Sequence, residues 1–199
     1  MRIVQIIPLS VLTVCFAGHA YAELLGSDVV SQYYAYGAVY DVEGSPTSFV
    51  ANGTVQETFC SGCGEGFTLT VTNTQVIYDQ LYNDGYWSPS YASLDSGGLY
   101  IANGNLLTFT GVTISGVTLD ASSDVSGFTS ANVTFNSANI AIDWAGLSGI
   151  AAGDEVILDV TTSGGSTVPE PTTLSLFGAG LIGLALIRRH SPRAEAREL

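Results

Sequence analysis

Between Glu23 and Thr167 the chain has no lysine, no arginine and no histidine. Its five basic residues are Arg2, Arg188, Arg189, Arg193 and Arg197, and both histidines, His19 and His190, also lie outside that span. Of the 18 acidic residues, Glu170, Glu195 and Glu198 fall beyond it, which leaves the 145-residue body with 15 carboxylates and no countercharge of its own. Each absence excludes a class of chemistry. Phosphate backbones and anionic lipid surfaces are held by cationic side chains, so no nucleic acid partner is expected. Ser-His-Asp and Cys-His catalysis need a base that is missing, and neither an arginine clamp nor a lysine Schiff base can form. Acid–base work would fall to Asp, Glu and Tyr alone. A field of this sign keeps the chain soluble and favours bridging by divalent cations.

Long helical periods are missing as well. Period-two alternation takes their place, in a body rich in Gly, Ser, Thr, Asn, Val and Tyr. Phe67, Leu69 and Val71 share one face of "GFTLTVTNT", with Thr68, Thr70 and Thr72 on the other. Ile140, Ile142 and Trp144 group in "NIAIDW", and Val156, Leu158 and Val160 in "EVILDV". "SDVVSQYYAYGAVYD", "GVTISGVTLD" and "ANVTF" read as further strands, while Asn52-Gly53, Asn83-Asp84-Gly85 and Asn103-Gly104 read as turns. The expectation is all-β: a jelly-roll-like β-sandwich ectodomain over residues 23–162, built from roughly eight to ten short strands.

Cysteine is scarce. Cys60 and Cys63 form a "CSGC" pair. A structural disulfide is the preferred reading, because two nearby cysteines in an exported protein normally pair. Redox activity would want a cation or a helix N-terminus, and here the charged neighbours are Glu57 and Glu65. No metal site is expected, since zinc lacks two further ligands of the Cys/His type. Calcium is a weaker possibility, at Asp79, Asn83 and Asp84 or at Asp154-Glu155, where solvated hairpin tips explain the charges as well. No catalytic residue is assigned, although two carboxylates of a glycoside hydrolase could hide among the 15. Tyr33, Tyr34, Tyr36, Tyr40, Tyr82, Tyr86, Trp87 and Tyr91 suggest either core packing or a sugar-stacking platform. The Thr68, Thr70, Thr72 and Thr74 row suggests a hydroxyl face toward ice or carbohydrate, or an ordinary exposed strand face. Asn52 and Asn132 begin glycosylation sequons.

Both ends read as processing segments. Residues 1–22 carry Arg2, an apolar run and the Ala20-Tyr21-Ala22 triplet, the pattern of a cleaved signal peptide with Ala20 and Ala22 at the cleavage site. Residues 163–171 form a Gly/Ser/Pro linker. Residues 172–187 form a short apolar span of about 24 Å as a helix, less than the ~30 Å bilayer core. Residues 188–199 form a basic tail that orients the body outward. Val168-Pro169-Glu170-Pro171, the short apolar helix and the cluster of Arg188, Arg189 and Arg193 together resemble the PEP-CTERM sorting signal. That resemblance implies a Gram-negative host, signal peptidase and exosortase as partners, passage through the inner membrane, and delivery to the cell surface or extracellular polysaccharide matrix. The body is similar to the uncharacterised β-rich passengers of such signals. A non-enzymatic structural or adhesive role without a cofactor is expected, with a carbohydrate- or ice-binding module as the alternative.

Overall fold

A computed structural model describes residues 23–42 and 45–163. The signal peptide, the sorting motif, the apolar span and the basic tail lie outside these residues. Among the described residues no helix is long and apolar enough to cross a membrane.

The strands are β1 (Asp28–Ala35), β2 (Ala38–Val39), β3 (Thr47–Val50), β4 (Val55–Phe59), β5 (Phe67–Val71), β6 (Gln75–Gln80), β7 (Gly85–Tyr86), β8 (Leu94–Ser96), β9 (Leu99–Ile101), β10 (Asn103–Thr110), β11 (Thr113–Leu119), β12 (Val133–Phe135), β13 (Asn139–Asp143), β14 (Ser148–Ile150) and β15 (Glu155–Ser163). All pairings are antiparallel. One main sheet runs β12-β13-β10-β1-β2 with β3 also on β1, the other runs β11-β15-β6-β5-β4, and β14-β7 and β8-β9 form two small ribbons. Strands β4, β5 and β6 form a meander. From β10 the chain crosses to the second sheet at β11, returns to the first for the β12–β13 hairpin, and ends in the second at β15.

Alternation decides what is buried. Val29 and Tyr33 of β1, Leu107 and Phe109 of β10, and Ile140 and Ile142 of β13 face inward from the first sheet. Phe59, Phe67, Leu69, Val71, Val76, Tyr78, Val156, Leu158 and Val160 meet them from the second in one continuous core. The three alternating segments expected from sequence therefore lie where their pattern places them. A smaller cluster of Leu99, Ile101 and Ala141, flanked by Tyr34, Leu94 and Leu106, seats the β8–β9 ribbon on the outer face of the first sheet.

Asn103-Gly104 is not a turn. Both residues open β10, paired with Ala35 and Tyr34, and the chain breaks pairing at Ala102 instead. Gly104 is required there because a Cβ would fall on the Ile142 carbonyl oxygen of β13. The glycine that looks like a turn signal thus marks a close backbone approach inside a sheet. The side chain of Asn103 is likewise structural. Its Oδ1 accepts from the Tyr33 hydroxyl and its Nδ2 donates to Ser88 O at 2.8 Å.

Candidate functional site

Strands β1, β4 and β6 end, and β10, β5 and β15 begin, at one end of the sandwich, so their connecting loops gather there. An aromatic column runs to this end from the core. Trp144 packs on Trp87 at 5.6 Å, Phe59 lies 4.8 Å from Tyr33, Tyr40 meets Tyr33 edge-on at 6.1 Å, and Tyr36 meets Tyr40 at 6.0 Å. The expected tyrosine and tryptophan group is divided by the fold. Trp87 and Tyr33 are core, and Tyr34 is half-buried beneath the β8–β9 ribbon. Tyr36, Tyr40, Tyr86 and Tyr91 are exposed, Tyr91 almost entirely so at 98 %.

The loops of this end are fastened to one another. Tyr36 N donates to Ser90 Oγ at 3.0 Å, and a Cβ on Gly37 would lie 3.1 Å from Ala92 Cβ, so the β1–β2 turn sits on the loop that carries Tyr91. Cys60 and Cys63 are bridged with their Cα atoms 5.3 Å apart, which pins the β4–β5 loop. The Tyr82 hydroxyl donates to Ser61 O in that loop. Ala152 N donates to Asn83 Oδ1 at 3.1 Å, tying the β6–β7 turn to the loop before β15. The non-glycine residues with left-handed backbone among those described are Tyr36, Cys60 and Asp84, and all three lie in these loops. Such conformations cost energy and persist only where the surroundings enforce them.

Glu65, half-buried beside the tyrosines, has its carboxyl pushed above the usual range by burial. Burial and then the nearby Glu65 carboxylate hold the Tyr33 phenol well above its ordinary value. Sequence reading treated Glu65 only as a neighbour of the cysteines. Its effect on Tyr33 depends on β1 and β4 facing each other across the core, which no local pattern announces.

Other candidates are placed elsewhere. Thr68 and Thr70 point outward from β5, where Thr58 of β4 faces Thr68 but Val55 faces Thr70 and β6 offers Asp79 and Ile77, so the hydroxyls form no regular array. Asp79 lies directly opposite Glu155 across β6 and β15. Asp154 Oδ2 accepts from Ala151 N at 2.8 Å, and Asp84 sits in a turn. Among the described residues no three His, Cys, Asp or Glu side chains converge on a common metal position. The sequon asparagines brace turns: Asn52 Oδ1 accepts from Thr54 N, Thr54 Oγ1 and Gln56 Nε2, and Asn132 Nδ2 donates to Asp143 O at 2.9 Å.

Two further carboxylates take places that no local pattern signals. Asp143 Oδ1 accepts from the backbone N–H groups of Ala102, Asn103 and Ala145, holding the corner between β9, β10 and β13. Glu57 points into the core at 3 % exposure. Its two oxygens, Ser31 Oγ and the Tyr78 hydroxyl are buried without a hydrogen-bond partner. Burial raises the Glu57 carboxyl to about 7, and nearby Ser31 offsets a little of the shift. Burial and then Glu57 drive the Tyr78 phenol far upward.

The described residues therefore make an antiparallel β-sandwich with an acidic surface and one tyrosine-rich, cross-braced end. The chain carries an address as well: residues 167–189 match the PEP-CTERM protein-sorting motif. That stretch includes Val168, Pro169, Glu170, Pro171, Arg188 and Arg189, and it stops before Arg193. The motif is the recognition signal for exosortase, so this is an exported, exosortase-sorted protein with a β-rich passenger, directed toward the cell envelope or surface. No curated protein and no solved structure matches the chain.

Proposed function

We propose that the passenger is a structural or adhesive protein of an extracellular polysaccharide layer, without enzymatic activity. The observation that carries this reading is the union of the sorting motif with a body of 15 carboxylates and no basic side chain. Export removes the chain from cytoplasmic substrates, and the missing cations remove most routes to catalysis. The bridged Cys60–Cys63 loop suits an oxidising exterior. Glu57, whose carboxyl keeps its proton to about 7 as a general acid would need, sits sealed in the core rather than in a cleft. Both termini of the exported chain are set by processing: signal peptidase after Ala22, then exosortase near Val168–Pro171. The inner membrane is crossed in transit in a Gram-negative host.

Calcium acts in this reading as a shared counter-ion between carboxylates and anionic sugars. Facing pairs such as Asp79 and Glu155 repel each other in its absence. The test is fractionation of the host's matrix, with the protein followed by immunoblot before and after a chelator wash. Retention with the polysaccharide, reduced by the chelator, is the expected result. A protein found wholly in the free medium, with calcium changing neither retention nor melting temperature, would sink the reading.

A further inference from the structure

We infer that the tyrosine-rich end of the sandwich is a binding surface for a neutral polysaccharide, contacted chiefly by Tyr36, Tyr40 and Tyr91. The inference rests on the matrix reading above and names the surface and the sugar class.

Three observations converge. The first is exposure without isolation. Tyr36 and Tyr40 are 50 % and 44 % exposed while packed edge-on against each other, and Tyr91 projects fully from the adjoining loop. Pyranose rings present apolar C–H faces that lie against aromatic rings, and phenol hydroxyls take part in hydrogen bonding at the wet rim. A purely apolar partner would be better served by leucine and isoleucine, and these loops offer tyrosine instead.

The second is rigidity. The β1–β2 turn is bonded to Ser90, the β4–β5 loop is closed by the disulfide, and Tyr82 joins that loop to the β6–β7 connection. Left-handed backbone at Tyr36, Cys60 and Asp84 is held at the same end. Aromatic side chains on a pre-ordered frame lose little freedom when a ligand docks, which is where weak sugar contacts usually fail.

The third is charge, and it selects the sugar. No cationic side chain exists anywhere in the body to meet a uronate, sulfate or phosphate. Glu65 adds a carboxyl in the disulfide-bearing β4–β5 loop of the same end. An anionic polymer would be repelled here, whereas a neutral one supplies only hydroxyl donors and acceptors. Carboxylate-to-hydroxyl hydrogen bonds are the stronger charge-assisted kind. The same protein thus meets anionic chains through calcium over its general surface and neutral chains directly at this end.

Affinity electrophoresis of the exported protein tests this, in native gels cast with dextran, galactomannan, soluble β-glucan, alginate or polygalacturonate, with and without calcium. Retardation by at least one neutral polymer in the absence of calcium is expected. Tyr91→Ala, at a fully exposed side chain, weakens it roughly 3- to 10-fold, the range of one aromatic contact. Tyr36→Gly, which keeps the left-handed backbone, combined with Tyr40→Ala abolishes it. Tyr100→Ala, exposed on β9, leaves it unchanged. Retardation only by alginate or polygalacturonate with calcium overturns the neutral-sugar surface and leaves the matrix role standing. Neutral binding that survives the Tyr36→Gly/Tyr40→Ala change in a variant of unchanged melting temperature also overturns it. No retardation by any polymer, together with loss from the matrix fraction in the host, removes both.

Discussion

Glu57 shows how one residue couples this fold to pH. Its carboxyl is buried between the sheets, facing Ser31 of β1 and Tyr78 of β6, and no cation exists in the body to pair with it. The neutral acid is therefore the form the folded state keeps. An unfolded Glu loses its proton near 4.5, and the folded one holds it to about 7. Stability from this group is complete below about 4.5, falls between 4.5 and 7 as the unfolded chain ionises first, and is flat above. The loss approaches about 3 kcal/mol. Urea unfolding at pH 4.5 and pH 7.5 checks it, and Glu57→Gln should flatten the profile across that window. A wild-type profile that is flat over the window, or that rises with pH, would contradict the assignment. Gly104 belongs to the same scale: its place under Ile142 O could not be told from a hairpin signal by sequence.

At the scale of elements, β4 shows how a bulge overrides simple alternation. Alternation would put Val55, Glu57 and Phe59 on one face. A bulge between Val55 and Glu57 turns Val55 outward opposite Thr70, while Glu57 faces in opposite Leu69. The Gln56 side chain fills the gap, with Oε1 accepting from Val71 N at 2.8 Å and Nε2 donating to Asn52 Oδ1 at 2.9 Å. The loop that leaves β4 is closed by the disulfide over a separation of 3 residues. A loop this short gains about 2 kcal/mol from cross-linking, so Cys60→Ser with Cys63→Ser should lower stability by that amount. Hydrogen exchange should quicken mainly over residues 60–66 and around Tyr82, with β10 and β15 unaffected. Uniform loss of protection across both sheets would show that the bridge supports the core rather than one loop.

The whole molecule is governed by charge of one sign. Among the described residues no ion pair can form, because no cationic side chain is present. Self-repulsion is relieved only by solvent and counter-ions. Raising sodium chloride from about 0.01 M to about 0.5 M shortens the screening length severalfold and should raise the melting temperature by about 3–6 °C, equivalent to roughly 1–2 kcal/mol. Differential scanning calorimetry measures this directly. A falling or unchanged melting temperature would mean that the carboxylates are too dispersed to matter. The sorting motif acts at the same scale, since it directs the whole passenger toward the cell envelope or surface.

Sequence alone determined the class of fold, because a period of two is a local property of each segment. Phe67, Leu69 and Val71, or Val156, Leu158 and Val160, must share a face whatever they pair with. The address was equally legible, since Pro-Glu-Pro, the apolar run and the arginines are read in linear order. The cysteine pairing followed from proximity in the chain. Tertiary structure decided the rest. The tyrosines that looked like one group parted into core and surface because β1 alternates, sending Tyr33 inward and Tyr34 outward beneath the β8–β9 ribbon. Tyr33 of β1 met Phe59 of β4 only because the two strands end together on facing sheets. Such meetings depend on strand order and register, which are set by long-range pairing and which no short window of sequence contains.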